Sequence, residues 1–456
     1  MTRNEGRVLF GVESILEQPA GVKVLRGDGS THALGEALVR LRDKRVALLA
    51  HPASVDRELG HSVDLLMAHA GELGFRMTAL LGPQHGMRGE KQDNMVESSD
   101  FTDPVTGLPV FSLYGTTRRI TWSMARHFDV LLVDLQDVGV RVYTFLTTLG
   151  YLLEDFQQWP DKEVWVLDRP NPVGRVVEGL TLQEGWESFV GVARIPMQHG
   201  CTLGEFAHWY HAGRELTSTL TVVPMAGWEP SDASTAWPAD RVWLQPSPNM
   251  PGLYTARAYP GTVMLEGTTL SEGRGTTRPL SVLGHPEVEW PRVFGVAAEL
   301  DAEWKAYETA AAERPDDRVA GAHPSARSGE PVGVPPDWLF GCRVRPVTFQ
   351  PTFHKHAGVA TSGVEIVAEG RFYDPRWFSP YRLVAAILKS IHQVHPGLKL
   401  WTDPPYEYEY DKVPIDVITG GPRFREWVED PVAGWAQLES MLRADEDAWR
   451  HSSRDR

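Results

Sequence analysis

A chain of 456 residues is longer than one hydrophobic core usually organises, so two domains are expected. Its formal net charge of −15 argues against nucleic acid or an anionic membrane surface as partner, since both would repel it, but leaves room for a small anion held by local arginines. Hydrophobic residues at 42% and charged residues at 23% suit an ordinary soluble globular chain; two distant cysteines, Cys201 and Cys342, exclude a disulfide framework and offer no metal spacing.

The N-terminal residues MTRNEGRVLF carry charges but no apolar h-region, and no window is apolar enough to span a bilayer. A cytoplasmic location without membrane insertion is the expectation. Residues 45–53 (RVALLAHPA) predict a buried strand ending at His51-Pro52, and 61–70 a helix with Val63, Leu65, Leu66 and Met67 apolar. The next apolar run, Ala79 to Leu81, breaks at Gly82-Pro83 into a polar loop. That loop holds Gln84, His85, Arg88, Glu90, Lys91, Gln92, Asp93 and Asn94 around Gly86 and Gly89. A buried strand emptying into such a loop is how an open α/β sheet presents a site at its carboxyl edge; the competing reading is a solvated turn.

A third strand is predicted over Val110–Tyr114, a helix near Thr121–His127, then an apolar strand Val130–Val133 with Asp134 and Asp137 at its exit. Phe145–Phe156 predicts a helix, and Glu163–Leu167 a strand ending in Asp168-Arg169-Pro170-Asn171. Strands that alternate with helices and end in polar loops predict an α/β fold with a doubly wound parallel sheet. Further on come Phe189–Met197 with His199 just after, a helix capped by Thr202 with Glu205 at the capping-box position, and the strand Leu220–Met225.

Residues 245–279 are punctuated by Gly and Pro and carry Ser247, Asn249, Glu266, Glu272 and Arg274. Gly273 and Gly275 lack the third glycine of a dinucleotide fingerprint, and no Walker loop is present, so no cofactor is expected. A composition shift at 284–286 sets the expected boundary between a larger N-terminal domain, 1–285, and a smaller α+β domain, 286–456. Within the latter, Glu299–Ala311 predicts a helix and 313–336 a surface loop rich in Pro, Gly, Ala and Ser. Cys342–Phe353, His354-Lys355-His356, a strand Gly363–Val367, a helix Tyr381–His392 and the aromatic-acidic stretch PYEYEYDK follow.

Polar residues thus gather where strands end, and in a parallel sheet those exits lie side by side. Converging carboxylates suit general acid–base work, because repulsion and burial raise one pKa and leave its neighbour ionised. Glycoside hydrolysis needs such a pair. Taken singly, Asp137 and Asp168 fit a cap or turn better. His85, His199, His354 and His356 fit proton shuttling or hydrogen bonding. None stands at the spacing of a zinc-protease helix, so no metal centre is expected, although His354 and His356 on one strand would share a face. Ser247 lacks the G-x-S-x-G elbow of a serine hydrolase.

The ordered segments RVALLAHPASVD, GPQHGMRGEKQDN, DVLLVDLQDVGVRVYTFLTTLGYLLE, VLDRPNPVG, FVGVARIPMQHGCTLGE, PSPNMP, LEGTTLSEGRGTT and FQPTFHKHAG resemble the bacterial exo-β-N-acetylmuramidase family, from about Gly11 onward. The resemblance implies a Rossmann-like N-terminal domain that binds no nucleotide, a smaller C-terminal domain, and a cleft between them. It also implies release of N-acetylmuramic acid from the non-reducing ends of peptidoglycan fragments, with a saccharide or muropeptide as the partner. There is one departure: many relatives carry a glutamate in the GPEHG motif where this chain has Gln84. An amide cannot exchange a proton near neutral pH, so the acid is sought at Glu90 or Glu266 and the base or nucleophile at Glu272 or Asp137. His85, Asn171 and Asn249 are expected to hold ring hydroxyls or the N-acetyl group. Arg88, Arg169 or Arg274 would pair with the lactyl carboxylate through a two-pronged guanidinium contact. Gln84, Tyr143, Asp168, His199, Ser247, His354 and His356 complete the substrate-binding candidates. The alternatives are a non-catalytic muropeptide binder, with Gln84 marking a lost acid, and a metal-assisted hydrolase using His354 and His356.

Overall fold

The computed structural model describes residues 7–89, 96–228, 237–297, 341–375 and 377–453. Its first strands are β1 (Lys23–Arg26), β2 (Thr31–Ala33), β3 (Arg45–Ala50), β4 (Arg76–Gly82), β5 (Phe101–Thr102), β6 (Pro109–Ser112), β7 (Val130–Asp134) and β8 (Glu163–Leu167). The hairpin β9 (Glu178–Thr181) and β10 (Pro196–Gln198) comes next, then β11 (Thr219–Val223). Nine of these make one sheet in the order β2-β1-β11-β8-β7-β3-β4-β6-β5. The central run from β11 to β6 is parallel. The edge strands β1, β2 and β5 are antiparallel, so the sheet is mixed where a parallel one was expected. Short hairpin returns, β1 to β2 through Gly29 at φ 82° and β5 to β6 through Gly107 at φ 70°, account for the reversal within each edge pair.

Alternating side chains decide what covers each face. Val46, Leu48 and Ala50 of β3, with Val130 and Leu132 of β7, pack towards helices Gly11–Glu17 and Ser62–Leu73. Their neighbours Ala47, Leu49, Leu131 and Val133 face helices Phe145–Asp155 and Leu203–Gly213 on the opposite side. The second of these helices opens with the expected capping box, Thr202 accepting from the Glu205 amide and Glu205 from that of Thr202. Successive strands move outward from β3 through β4 to β6, then restart at β7 and move the other way. The carboxyl ends of β3 and β7 therefore flank the point where ligands usually sit in such sheets.

The C-terminal part adds a three-stranded antiparallel sheet, β12 (Val282–Gly284), β14 (Thr361–Val367) and β13 (Arg343–Phe349), with β14 in the middle. Its first strand lies before the expected boundary at 285. Helices Pro380–Val394, Arg423–Glu429 and Trp435–Ser452 pack beside it, and their buried residues run into the same core as one face of the large sheet. The Gly- and Pro-punctuated segment 245–279, for which no helix was expected, contains one, Leu253–Thr262, despite Pro260. Tertiary packing overrides the proline: at Gly261 a Cβ would sit 2.0 Å from the Pro380 carbonyl oxygen, so this helix lies hard against Pro380–Val394. A 3₁₀ turn, Val263–Gly267, follows directly and carries Glu266. The expected helix Glu299–Ala311 and loop 313–336 lie outside the described residues.

Candidate active site

Behind β4 the chain doubles back so tightly that a Cβ on Gly82 would lie 2.7 Å from the Met87 nitrogen. This turn buries Gln84 and His85, the latter in the left-handed region at φ 71°, a conformation that non-glycine residues adopt at a cost. The Gln84 side-chain oxygen accepts from Thr144 Oγ1 at 2.7 Å, which turns its amide nitrogen towards Glu407 Oε1, 3.2 Å away. Glu407 comes from the C-terminal part, on a turn closed by paired backbone bonds between Tyr406 and Glu409. Its second oxygen accepts from the Tyr114 hydroxyl at 2.8 Å. His85 Nε2 lies 3.3 Å from Ser247 Oγ.

The facing wall holds Glu266, which accepts from Arg274 Nη2 at 2.7 Å and from the Tyr406 hydroxyl at 2.8 Å. Gln84, His85, Tyr143, Thr144, Ser247, Tyr259, Glu266, Arg274, Tyr406 and Glu407 line one cavity. Two of its donors are unspent: among the described residues neither Arg274 Nη1 nor the Tyr143 hydroxyl finds a partner, and both side chains are more than nine-tenths buried.

The two carboxyls live in different surroundings. Burial pushes the Glu407 carboxyl up to about 7, and the nearby Glu266 charge adds to the rise against the bonds from Tyr114 and Gln84. Glu266 is instead clamped by the Arg274 guanidinium.

Residues 46–254 match the family model described as "Exo-beta-N-acetylmuramidase NamZ, N-terminal", and 257–308 with 331–455 match its C-terminal counterpart. The peptidoglycan β-N-acetylmuramidase NamZ of Bacillus subtilis (strain 168) is 34% identical over 360 residues, spanning 78% of this chain and 75% of that protein. This chain belongs to the NamZ family. A crystal structure of a DUF1343 family protein from Bacteroides fragilis NCTC 9343 superposes with a TM-score of 0.73 at 26% identity, over 99% of this chain and 98% of its own. A second from that organism, at 22% identity and a TM-score of 0.63 over 94% and 97%, shares the fold.

The NamZ-family cavity gathers some of the sequence candidates and leaves others elsewhere. Gln84, His85, Tyr143, Ser247, Glu266 and Arg274 line it. Glu90 lies outside the described residues. Glu272, expected as base or nucleophile, is fully buried behind Arg274 rather than in the cavity. Although burial opposes it, Lys355, His354 and Arg274 hold the Glu272 carboxyl far below the usual range, so it is a fixed anion that positions Arg274. Asp137 accepts from the Gly139 amide at 2.6 Å and sits 3.6 Å from His199 Nε2, off the cavity wall. His199 faces the Cys201 sulfur at 2.9 Å with its other ring nitrogen; although burial opposes it, Cys201 and Asp137 raise the imidazole to about 9.

At the strand exits Asp134, Asp168, Arg169 and Asn171 are spent on the fold. Arg169 grips Asp134 at 2.5 and 2.9 Å, Asp168 receives Thr202 Oγ1 and the Gly204 amide, and Asn171 bridges the Val173 amide and the Cys201 carbonyl. Arg88 pairs with Asp103 at 2.9 Å, and Asn249 is buried without lining the cavity. His354 and His356 do not share a strand: β13 ends at Phe349, and both stand in left-handed turns at φ 69° and 57°. His354 Nδ1 meets Glu272 at 3.2 Å and His356 Nε2 meets the Thr269 carbonyl at 2.8 Å. Among the described residues no three His, Cys, Asp or Glu side chains converge as a metal site, and no helix is long and apolar enough to cross a membrane.

Sequence reasoning missed Glu407, together with Tyr406, Thr144 and Tyr259. Its only local signal was the alternation of Tyr and Glu in PYEYEYDK, which sets an acid among aromatic groups able to desolvate it.

Proposed function

We propose that this protein is an exo-acting glycoside hydrolase that releases N-acetylmuramic acid, or a closely related amino sugar, from the non-reducing ends of peptidoglycan fragments. One observation carries the reading: two carboxyls, Glu266 paired with the Arg274 guanidinium and Glu407 raised by burial to about 7, face one cavity. The Bacillus subtilis relative, a peptidoglycan β-N-acetylmuramidase, supplies the substrate class. In this reading a Rossmann-like N-terminal domain binds no nucleotide and provides the floor, and the smaller α+β domain closes the cleft with the Tyr406–Glu409 turn.

Arg274 Nη1 and the Tyr143 hydroxyl, donors without partners among the described residues, are suited to the lactyl carboxylate and to a ring hydroxyl or acetamide oxygen. His85 and Ser247 add hydrogen-bonding groups beside them. Two cysteines, both free, fit action in the reducing cytoplasm on recycled wall fragments; detection in culture supernatant rather than lysate would overturn that placement.

Purified protein incubated with 4-nitrophenyl β-N-acetylmuraminide, with and without chelator, tests the reading. Turnover that survives chelation supports it. Binding without turnover points to the muropeptide binder, and chelator-sensitive turnover to the metal-assisted alternative.

A further inference from the structure

We propose that Glu407 is the proton donor to the departing sugar oxygen, and that the Gln84 amide is the positioning group that aims it; this rests on the glycosidase reading above. Four observations converge on it. Glu407 is the carboxyl brought into the cavity opposite Glu266, although the two stand on different parts of the chain. The Glu407 oxygens accept from the Gln84 amide and the Tyr114 phenol, whose pull towards the carboxylate burial outweighs. Thr144 Oγ1, 2.7 Å from the Gln84 side-chain oxygen, pins the other end of the amide. Position 84 therefore holds a proton carrier without being one.

The fourth observation is the way the turn is built. Glu407 and Tyr408 both adopt left-handed backbone, at φ 42° and 70°, a conformation kept only where surroundings over-determine it. The clamp is Arg118, whose guanidinium carbon lies 3.5 Å from the centre of the Tyr408 ring and 4.9 Å from that of Tyr114. Arg118 is anchored in turn by Glu97 and the Gly115 carbonyl, each at 3.0 Å. A strained turn fastened by a guanidinium lying against two edge-on tyrosine rings serves to aim one side chain. The side chain it aims is Glu407.

The chemistry balances without a co-reactant other than water. The Glu407 proton goes to the glycosidic oxygen, and the electron pair of the C1–O bond leaves with that oxygen as an alcohol. C1 takes the oxygen of water, either directly with Glu266 as base or after transient attachment to Glu266, and the surplus water proton returns a carboxylate to its acid form.

The test compares kcat/KM of wild type and Glu407→Gln on two β-muraminides. One carries 4-nitrophenol, which departs without help; the other is an unactivated disaccharide that needs protonation. The expected result is a loss of roughly 10²- to 10⁴-fold on the disaccharide and a far smaller loss on the nitrophenyl glycoside. Wild-type kcat/KM on the disaccharide should fall above about pH 7, and the nitrophenyl reaction of the variant should lack that limb. Gln84→Glu, which sets a second carboxyl against Glu407, should move the limb to higher pH. Glu407→Asp should retain a limb at reduced rate, which guards against a misfolded Gln variant. Equal losses on both substrates, or an unchanged limb in Glu407→Gln, would overturn the assignment alone. A wild type that turns over neither substrate would overturn the glycosidase reading and the assignment with it.

Discussion

The exits of β7 and β8 and the cavity behind β4 hold the same kinds of side chain and do opposite things with them. At the exits, Asp134 is enclosed by Arg169 and Ser62, and Asp168 by Thr202 and the Gly204 amide. In the cavity, Glu407 meets neutral donors and a second carboxyl, while Arg274 and Tyr143 keep donors in reserve. Satisfied polar groups specify a fold, whereas those left partly unsatisfied in a closed space can bind and react. Carboxylates at strand ends are therefore poor markers of chemistry until their partners are known.

That contrast can be broken most severely at Asp134. Asp134→Ala leaves Arg169 charged and buried without its partner, so urea unfolding should show a loss of about 3–5 kcal/mol. Unchanged stability would mean the exit network is not structural. A smaller effect, of the opposite kind, is expected at Arg274. Replacing it by Lys removes the fork that joins Glu266 to Glu272 and the reserved donor, and should cost about 1.5–3 kcal/mol in kcat/KM, roughly 10- to 150-fold, with little change in melting temperature. Equal damage to stability would blur the two regions.

The pH dependence of stability sharpens the comparison further. Glu407 binds its proton more tightly folded than unfolded, so its contribution is present below the ordinary carboxyl pKa and disappears as pH rises through about 7. Its slope is at most ~1.4 kcal/mol per pH unit, and melting curves of Glu407→Gln should lack it. Asp168, also raised to about 7 by burial, follows the same sign and should leave its part of the slope in that variant. Least of all, Thr202→Ala should remove the helix cap and the bond to Asp168 for about 1–2 kcal/mol in unfolding experiments, without altering KM.

The sequence by itself determined whatever depends on near neighbours. Continuous apolar runs at β3, β4, β7 and β8, the Thr202–Glu205 box, and the glycine-bounded turn carrying Gln84 and His85 are short-range matters of local apolarity, capping and backbone reach. Tertiary structure alone decided which acids meet. Gln84 and Glu407 stand 323 positions apart, and Leu253–Thr262 is helical around Pro260 where it is packed against Pro380–Val394. Long-range packing spent Asp134, Asp168 and Glu272 on ion pairs and caps and left Glu407 in a desolvated pocket. A carboxyl's proton affinity is set by the groups that surround it in space, and the order of residues along the chain does not contain them.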